Sequence, residues 1–281
     1  MALSDRLVSA LRSWTFSMVP SAPERIQKIP TAKNEFGVDP FGLDVEFTVA
    51  ALAPFVWLYQ HWFRVEVQGI EKVPPGRVLL VSNHSGQLPF DAAMMGVALL
   101  VEHDPPRAIR AMVEKWVPSL PFISSFMARV GQVVGTPENC RRLLAADETI
   151  LVFPEGVRGI SKLYRNRYQL QEFGQGFMRL ALETDTPIVP VAVVGAEEQA
   201  PALTDVKPLA KLLGFPAFPI TPTLLPFPLP AKYHIRFGEP MRFTGRPDDE
   251  EASLAKKVQI VRGELQSTLN RMVRERKHVF F

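Results

Sequence analysis

A chain of 281 residues, 47% hydrophobic and 22% charged, is long enough to bury a sizeable core and too apolar to remain unstructured. Its 32 Lys+Arg against 29 Asp+Glu leave a net charge of only +3, without the basic excess that marks a nucleic-acid binder. The single cysteine, Cys140, excludes an intrachain disulfide.

The first residues, MALSDRLVSALRSW, lack the ordered basic, apolar and small-residue segments of a signal peptide, and the expected location is the cytoplasmic side of a membrane. Leu7, Leu11, Trp14 and Met18 fall at helical spacing, with Arg6 and Arg12 elsewhere on the wheel. That pattern suits a helix packed on the body and equally an interfacial anchor. Residues 47–59, FTVAALAPFVWLY, are too short for a spanning helix and are interrupted by Pro54, so a buried or interfacial helix is expected. Residues 1–63 thus read as a helical membrane-associating segment ahead of a domain at 64–281, held peripherally or monotopically.

From residue 64 the pattern alternates. Strands are predicted at 77–82 (RVLLVS), 107–113, 130–134, 149–153, 188–194 and 233–237. Helices are predicted from Asp91, at 120–129, 137–146, 174–184 and 250–274. This argues for an α/β fold with a mainly parallel central sheet flanked by helices. Residues 201–231 are too rich in proline for regular helix or central strand. They wrap the core or form a lip that touches lipid or lines an acyl pocket, the second being favoured.

Two segments carry chemistry. SNHSGQLPFD, 82–91, begins where a strand ends, the usual place for active residues in open α/β sheets. His84 suits proton removal near neutral pH, and Asp91 can hold the other ring nitrogen. FPEGVRG, 153–159, also follows a strand. There Gly156 admits close approach of a ligand to backbone, and Arg158 offers a fork for phosphate or carboxylate, or else simply pairs with Glu155. No HExxH, cysteine cluster, P-loop or GxGxxG is present, so neither metal nor nucleotide cofactor is expected. Nor is there a GxSxG elbow. Cys140 is read as passive.

Asn83-His84 and, some seventy residues on, Phe153-Pro154-Glu155-Gly156-x-Arg158 together resemble the glycerolipid acyltransferase family, the lysophosphatidic acid acyltransferase-like group. The resemblance covers about 65–240, and NHSGxxPFD with VAVVGAEE looks like a bacterial branch. It implies a catalytic His84–Asp91 pair, with Glu155, Gly156 and Arg158 helping to bind the acceptor head group and Lys115 helping to hold phosphate. Lys162, just after the 153–159 turn, is expected as a further anion contact, and a backbone N–H near Gly86 as an oxyanion donor. The implied co-substrates are an acyl thioester (coenzyme A or acyl-carrier protein) and a lipid acceptor at a membrane surface. Three positions depart from the family pattern: six residues separate His84 from Asp91 instead of four, Val157 replaces a threonine, and Thr136 stands where an arginine is common. Arg141 or Arg142 is the nearest replacement for that arginine. Non-phosphorylated acceptors, thioester hydrolysis and an inactive lipid-binding relative are the competing readings.

Overall fold

The computed structural model describes residues 3–29, 31–85, 89–115, 122–205, 219–221 and 227–280. Three helices open the chain: α1 (Leu3–Met18), α2 (Ala22–Gln27) and α3 (Val45–Trp57), the last running into a π-helical turn at Leu58–Trp62. Asp44 starts α3 by accepting the Phe47 N–H at 3.0 Å, satisfying a donor that the first helical turn leaves free. Among the described side chains of α1 the buried one is Thr15, whose hydroxyl bonds the Val49 carbonyl of α3 at 2.8 Å. Leu7 and Trp14 of the apolar stripe are exposed, as an interfacial anchor would have them and a stripe packed on the body would not. No described helix is long and apolar enough to cross a membrane.

The sheet contains β1 (Glu66–Gln68), β2 (Val78–Ser82), β3 (Ile109–Val113), β4 (Val133–Val134), β5 (Thr149–Val152) and β6 (Ile188–Val194). A short antiparallel pair, β7 (Thr204–Asp205) with β8 (Pro219–Ile220), stands apart in the proline-rich stretch, and β9 (His234–Phe237) returns to the main sheet. A two-strand ribbon tolerates Pro219 because it needs no full ladder of N–H donors. The main order is β1-β9-β6-β2-β5-β3-β4. β6, β2, β5, β3 and β4 are parallel, while β9 runs antiparallel to β6 and parallel to β1. The carboxyl ends of the five parallel strands therefore share one edge.

Alternation along the strands builds two apolar layers. Val78 and Leu80 of β2 face one, with Val189, Val191 and Val193 of β6 and α4 (Phe90–Val101). Leu79 and Val81 face the other, with α6 (Pro137–Ala145), α8 (Gly176–Thr184) and the C-terminal helix Glu251–Glu275, while α5 (Ile123–Arg129) follows β3 and α7 (Val157–Ile160) follows β5. The boundary expected at residue 64 is not a seam in this packing. Val19, Ile26, Val49, Val56 and Phe63 join the first layer directly. Asp39 adds a polar tie, pairing with the fully buried Arg110 of β3, which Glu148 also holds at 3.1 Å.

Candidate active site

The site grows from the end of β2. The Asn83 side chain accepts the Val193 N–H at 2.9 Å and donates to the Val193 carbonyl at 3.0 Å, fixing the start of the loop to β6. His84 follows, with Nδ1 2.7 Å from Oδ2 of Asp91 in the first turn of α4. That oxygen also accepts the Ser85 N–H at 3.1 Å, and Oδ1 accepts the Ala92 N–H at 2.8 Å. Asp91 is fully buried. A carboxylate only accepts, so this contact places the proton on Nδ1 and the lone pair on Nε2, which meets no hydrogen-bond partner among the described residues. Six intervening residues thus do not prevent the pair from closing. Gly86 lies outside the described residues.

The 153–159 turn forms the opposite wall. The His84 ring stacks on Phe153, centroids 4.0 Å apart and planes at 18°. Gly156 has φ 56° and ψ −145°, a conformation that side chains exclude, and it turns the chain into the short helix α7 (Val157–Ile160). Gly159 is packed so closely that an added Cβ would lie 3.0 Å from the Glu155 Cβ and 3.1 Å from the His84 Cβ.

Two expected head-group contacts are placed otherwise. Glu155 is buried, its Oε1 accepting the His84 N–H at 3.1 Å and its Oε2 the Gln171 N–H at 2.8 Å. It clamps backbone and has no oxygen facing solvent to offer a ligand. Lys162 is not an open anion contact either. Its ammonium is buried 3.3 Å from Glu155 and 3.0 Å from Glu197. Burial pushes the Glu197 carboxyl above its ordinary range, opposed by Lys162.

Arg158 is exposed and donates to the Glu172 side chain and carbonyl, each at 3.3 Å. Lys115 lies in an exposed turn after β3. Its neighbour Glu114 comes within 3.9 Å of a Cβ built on Gly156, so β3 and β5 deliver both segments to the same edge. Thr136 caps α6 by accepting the Asn139 N–H at 3.2 Å. Neither substitute arginine is free: Arg141 pairs with Glu183 at 2.8 Å, and Arg142 lies over the Phe41 ring at 4.9 Å. Cys140 is buried, which pushes its thiol up and keeps it protonated. Among the described residues no group of three His, Cys, Asp or Glu is arranged to hold a metal.

Sequence reading missed Glu197, and it gave Phe153 and Gly159, though inside the 153–159 segment, no role of their own. Glu197 had a usable signal: paired glutamates directly after a buried strand at the same edge, where an unpaired acid is costly. The small size of Gly159 could not be read as a packing demand without knowing that His84 lies against it.

What the arrangement can do is narrow. An imidazole with one nitrogen held by a buried carboxylate and the other free can remove a proton from a bound hydroxyl and later return it. The comparisons point to acyltransferases. Residues 64–194 match the family model described as Acyltransferase. An uncharacterised protein of Mycobacterium leprae is 42% identical over 261 residues, 88% of this chain and 71% of that one. A probable 1-acyl-sn-glycerol-3-phosphate acyltransferase of Mycoplasma pneumoniae is 25% identical over 180 residues, 61% of this chain and 65% of that one. The crystal structure of the 1-acyl-sn-glycerophosphate acyltransferase of Thermotoga maritima superposes with a TM-score of 0.53 at 15% identity, covering 94% of this chain and 95% of that one.

Proposed function

This chain belongs to the glycerolipid acyltransferase family, and from that premise we propose that it transfers a fatty acyl group from a thioester to the hydroxyl of a lysophospholipid, with His84 as general base. The observation carrying the reading is the 2.7 Å contact between His84 Nδ1 and the buried Asp91 carboxylate, beside the 153–159 turn.

In the proposed mechanism Nε2 takes the acceptor's hydroxyl proton as its oxygen attacks the thioester carbonyl. Asp91 stabilises the imidazolium that forms. Collapse of the tetrahedral intermediate breaks the C–S bond, and the departing thiolate takes the proton from Nε2. No acyl-enzyme is required, because the acceptor itself is activated. Arg158 and Lys115, both exposed on segments that follow β5 and β3, serve as contacts for the acceptor's phosphate.

Peripheral docking on a membrane, from the cytoplasmic side, belongs to the same proposal. Trp57 stacks with Trp62 at 6.1 Å, and Trp62 meets Phe227 at 5.4 Å. Trp57 and Phe227 are exposed, as are Leu7 and Trp14 of α1. Rings of this kind sit well at the boundary between headgroups and acyl chains.

The test is product identification by mass spectrometry, using purified protein with mixed acyl thioesters and mixed lipid acceptors. The reading requires an acylated lysophospholipid in the products, thiol release that depends on acceptor, and loss of both in His84→Ala. Thiol release that ignores the acceptor would make the protein a hydrolase, and full turnover in His84→Ala would remove the assigned base.

A further inference from the structure

Behind His84 the ends of three parallel strands meet at one buried lysine. His84 follows β2, Glu155 follows β5, and Glu197 lies in the short helix Ala196–Gln199 after β6. The Lys162 side chain is 3% exposed, and its ammonium stands 3.3 Å from Glu155 and 3.0 Å from Glu197, themselves 0% and 5% exposed. Both acids also hold backbone. Glu155 accepts the His84 N–H at 3.1 Å and the Gln171 N–H at 2.8 Å, and Glu197 accepts the Tyr168 N–H at 3.1 Å. The 168–171 segment is tied in turn to the C-terminal helix, where Gln266 donates to the Tyr168 carbonyl at 2.8 Å and Arg262 to the Gln171 carbonyl at 3.0 Å.

Stability is a poor reason for this cluster. Withdrawing an ammonium and two carboxylates from water costs about as much as their attraction returns, and apolar side chains of similar volume often serve a fold equally well. What the cluster supplies is direction. Asp91 holds the edge of the His84 ring at 2.7 Å and Phe153 covers its face at 4.0 Å, but the backbone from which the ring hangs is held by Glu155. A carboxylate is a stronger acceptor than a neutral group. Lys162 balances the Glu155 charge against a second acid and keeps that carboxylate aimed at the His84 N–H. Gly159 closes the other side: a Cβ there would lie 3.0 Å from the Glu155 Cβ, so the acid has no slack in that direction.

We propose that Lys162 is a positioning residue for the acyl-transfer reaction. Anchored on Glu197, it fixes the Glu155 carboxylate, which fixes the His84 backbone and with it the direction of Nε2. The proposal rests on the acyl-transfer reading and adds to it the residue that aims the base. Lys162 touches no substrate, because an ammonium this enclosed has no face left for a ligand. Its removal therefore acts on turnover and leaves substrate binding alone. Misplacing a reacting group by about 1 Å costs roughly 10²-fold in rate, and that is the loss expected of kcat.

The experiment compares the full chain with Lys162→Met and with Lys162→Met/Glu197→Gln, the second restoring the net charge of the cluster as a guard against misfolding. Thiol release from palmitoyl-CoA in the presence of lysophosphatidic acid is measured at a temperature where circular dichroism shows each variant folded. The kcat should fall about 10²-fold in both variants, with the KM of each substrate within about threefold of wild type. NMR of protein labelled with 15N-histidine supplies a reading without turnover. The Nδ1 proton of His84, identified by its loss in His84→Ala, should exchange with solvent about tenfold faster or more in both variants. A double variant whose kcat and proton exchange return with its melting temperature would make the cluster structural and overturn the proposal. So would an unchanged kcat in either variant, or a raised KM for lysophosphatidic acid at unchanged kcat, which would mark Lys162 as a ligand contact. Faster exchange in both variants of a protein whose wild type transfers no acyl group would keep the positioning role and remove the acyl-transfer reading. Acyl transfer by the wild type, with unaltered exchange in the variants, would do the reverse.

Discussion

Replacing Lys162 by methionine tests whether the buried ammonium holds the site together. The substitution keeps an unbranched side chain one atom shorter and removes its charge, leaving Glu155 and Glu197 facing each other without the cation now 3.3 and 3.0 Å away. Breaking a buried ion pair by deleting one partner typically costs about 3–5 kcal/mol. For a chain of this size each kcal/mol lowers Tm by roughly 2–4 °C, so a fall on the order of 10 °C is expected at neutral pH. The pH dependence has a defined sign. The Glu197 carboxyl already titrates above its ordinary range because of burial, with Lys162 opposing the rise. Within the window between its unfolded and folded pKa the folded state holds the extra proton, so stability falls as pH rises through that window. Without Lys162 the window extends upward. The deficit relative to wild type should therefore be largest at neutral pH and shrink toward acid pH. Thermal melts across pH, with the Lys162→Met/Glu197→Gln double variant recovering more than half of the loss, complete the cycle. A single variant that melts with the wild type at neutral pH, or a deficit that grows on acidification, would refute the reasoning.

Asp91→Asn presents an N–H to His84 Nδ1, favours the tautomer with its proton on Nε2, and should lower kcat by roughly 10³–10⁴-fold with little change in acceptor KM; steady-state thiol-release kinetics read this. Gly159→Ala places a methyl 3.1 Å from the His84 Cβ and carbonyl, an overpacking of about 1–3 kcal/mol that should lower both Tm and kcat, where an innocuous position would move neither. Arg158→Ala removes an exposed cation whose partner Glu172 is also exposed. Its Tm should stay near wild type, while the KM for a phosphorylated acceptor rises about tenfold, the equivalent of ~1.4 kcal/mol; an unchanged KM rejects the head-group role.

The parallel part of the sheet was legible because its strands are short β-branched runs set between proline and glycine, and β2, β5 and β6 sit at their predicted positions. The edge was less so. β1 and β9 pair across more than 160 residues and run opposite to β6, an orientation that local pattern does not encode. His84 and Asp91 were found because the residue types and their place after a strand carry the chemistry. Lys162 was given an outward role because a lysine beside a glycine turn is normally solvated. What turns it inward is Glu197, thirty-five positions away and brought close only by the adjacency of β2, β5 and β6. Glu155 was misplaced for a related reason, since a motif does not reveal that both of its oxygens are consumed by backbone N–H groups.

The sharing of one apolar layer between the opening helices and the sheet has a practical consequence. A chain trimmed to begin at residue 64 would bare the flank of α4 and the inward faces of β2 and β6, which Val19, Ile26, Val49, Val56 and Phe63 now cover, and it would strip Arg110 of Asp39. Such a fragment would aggregate instead of behaving as a detached soluble enzyme. The opening helices proposed to meet the membrane and the sheet that carries His84 are thus one packed unit, so removing the first is expected to unfold the second.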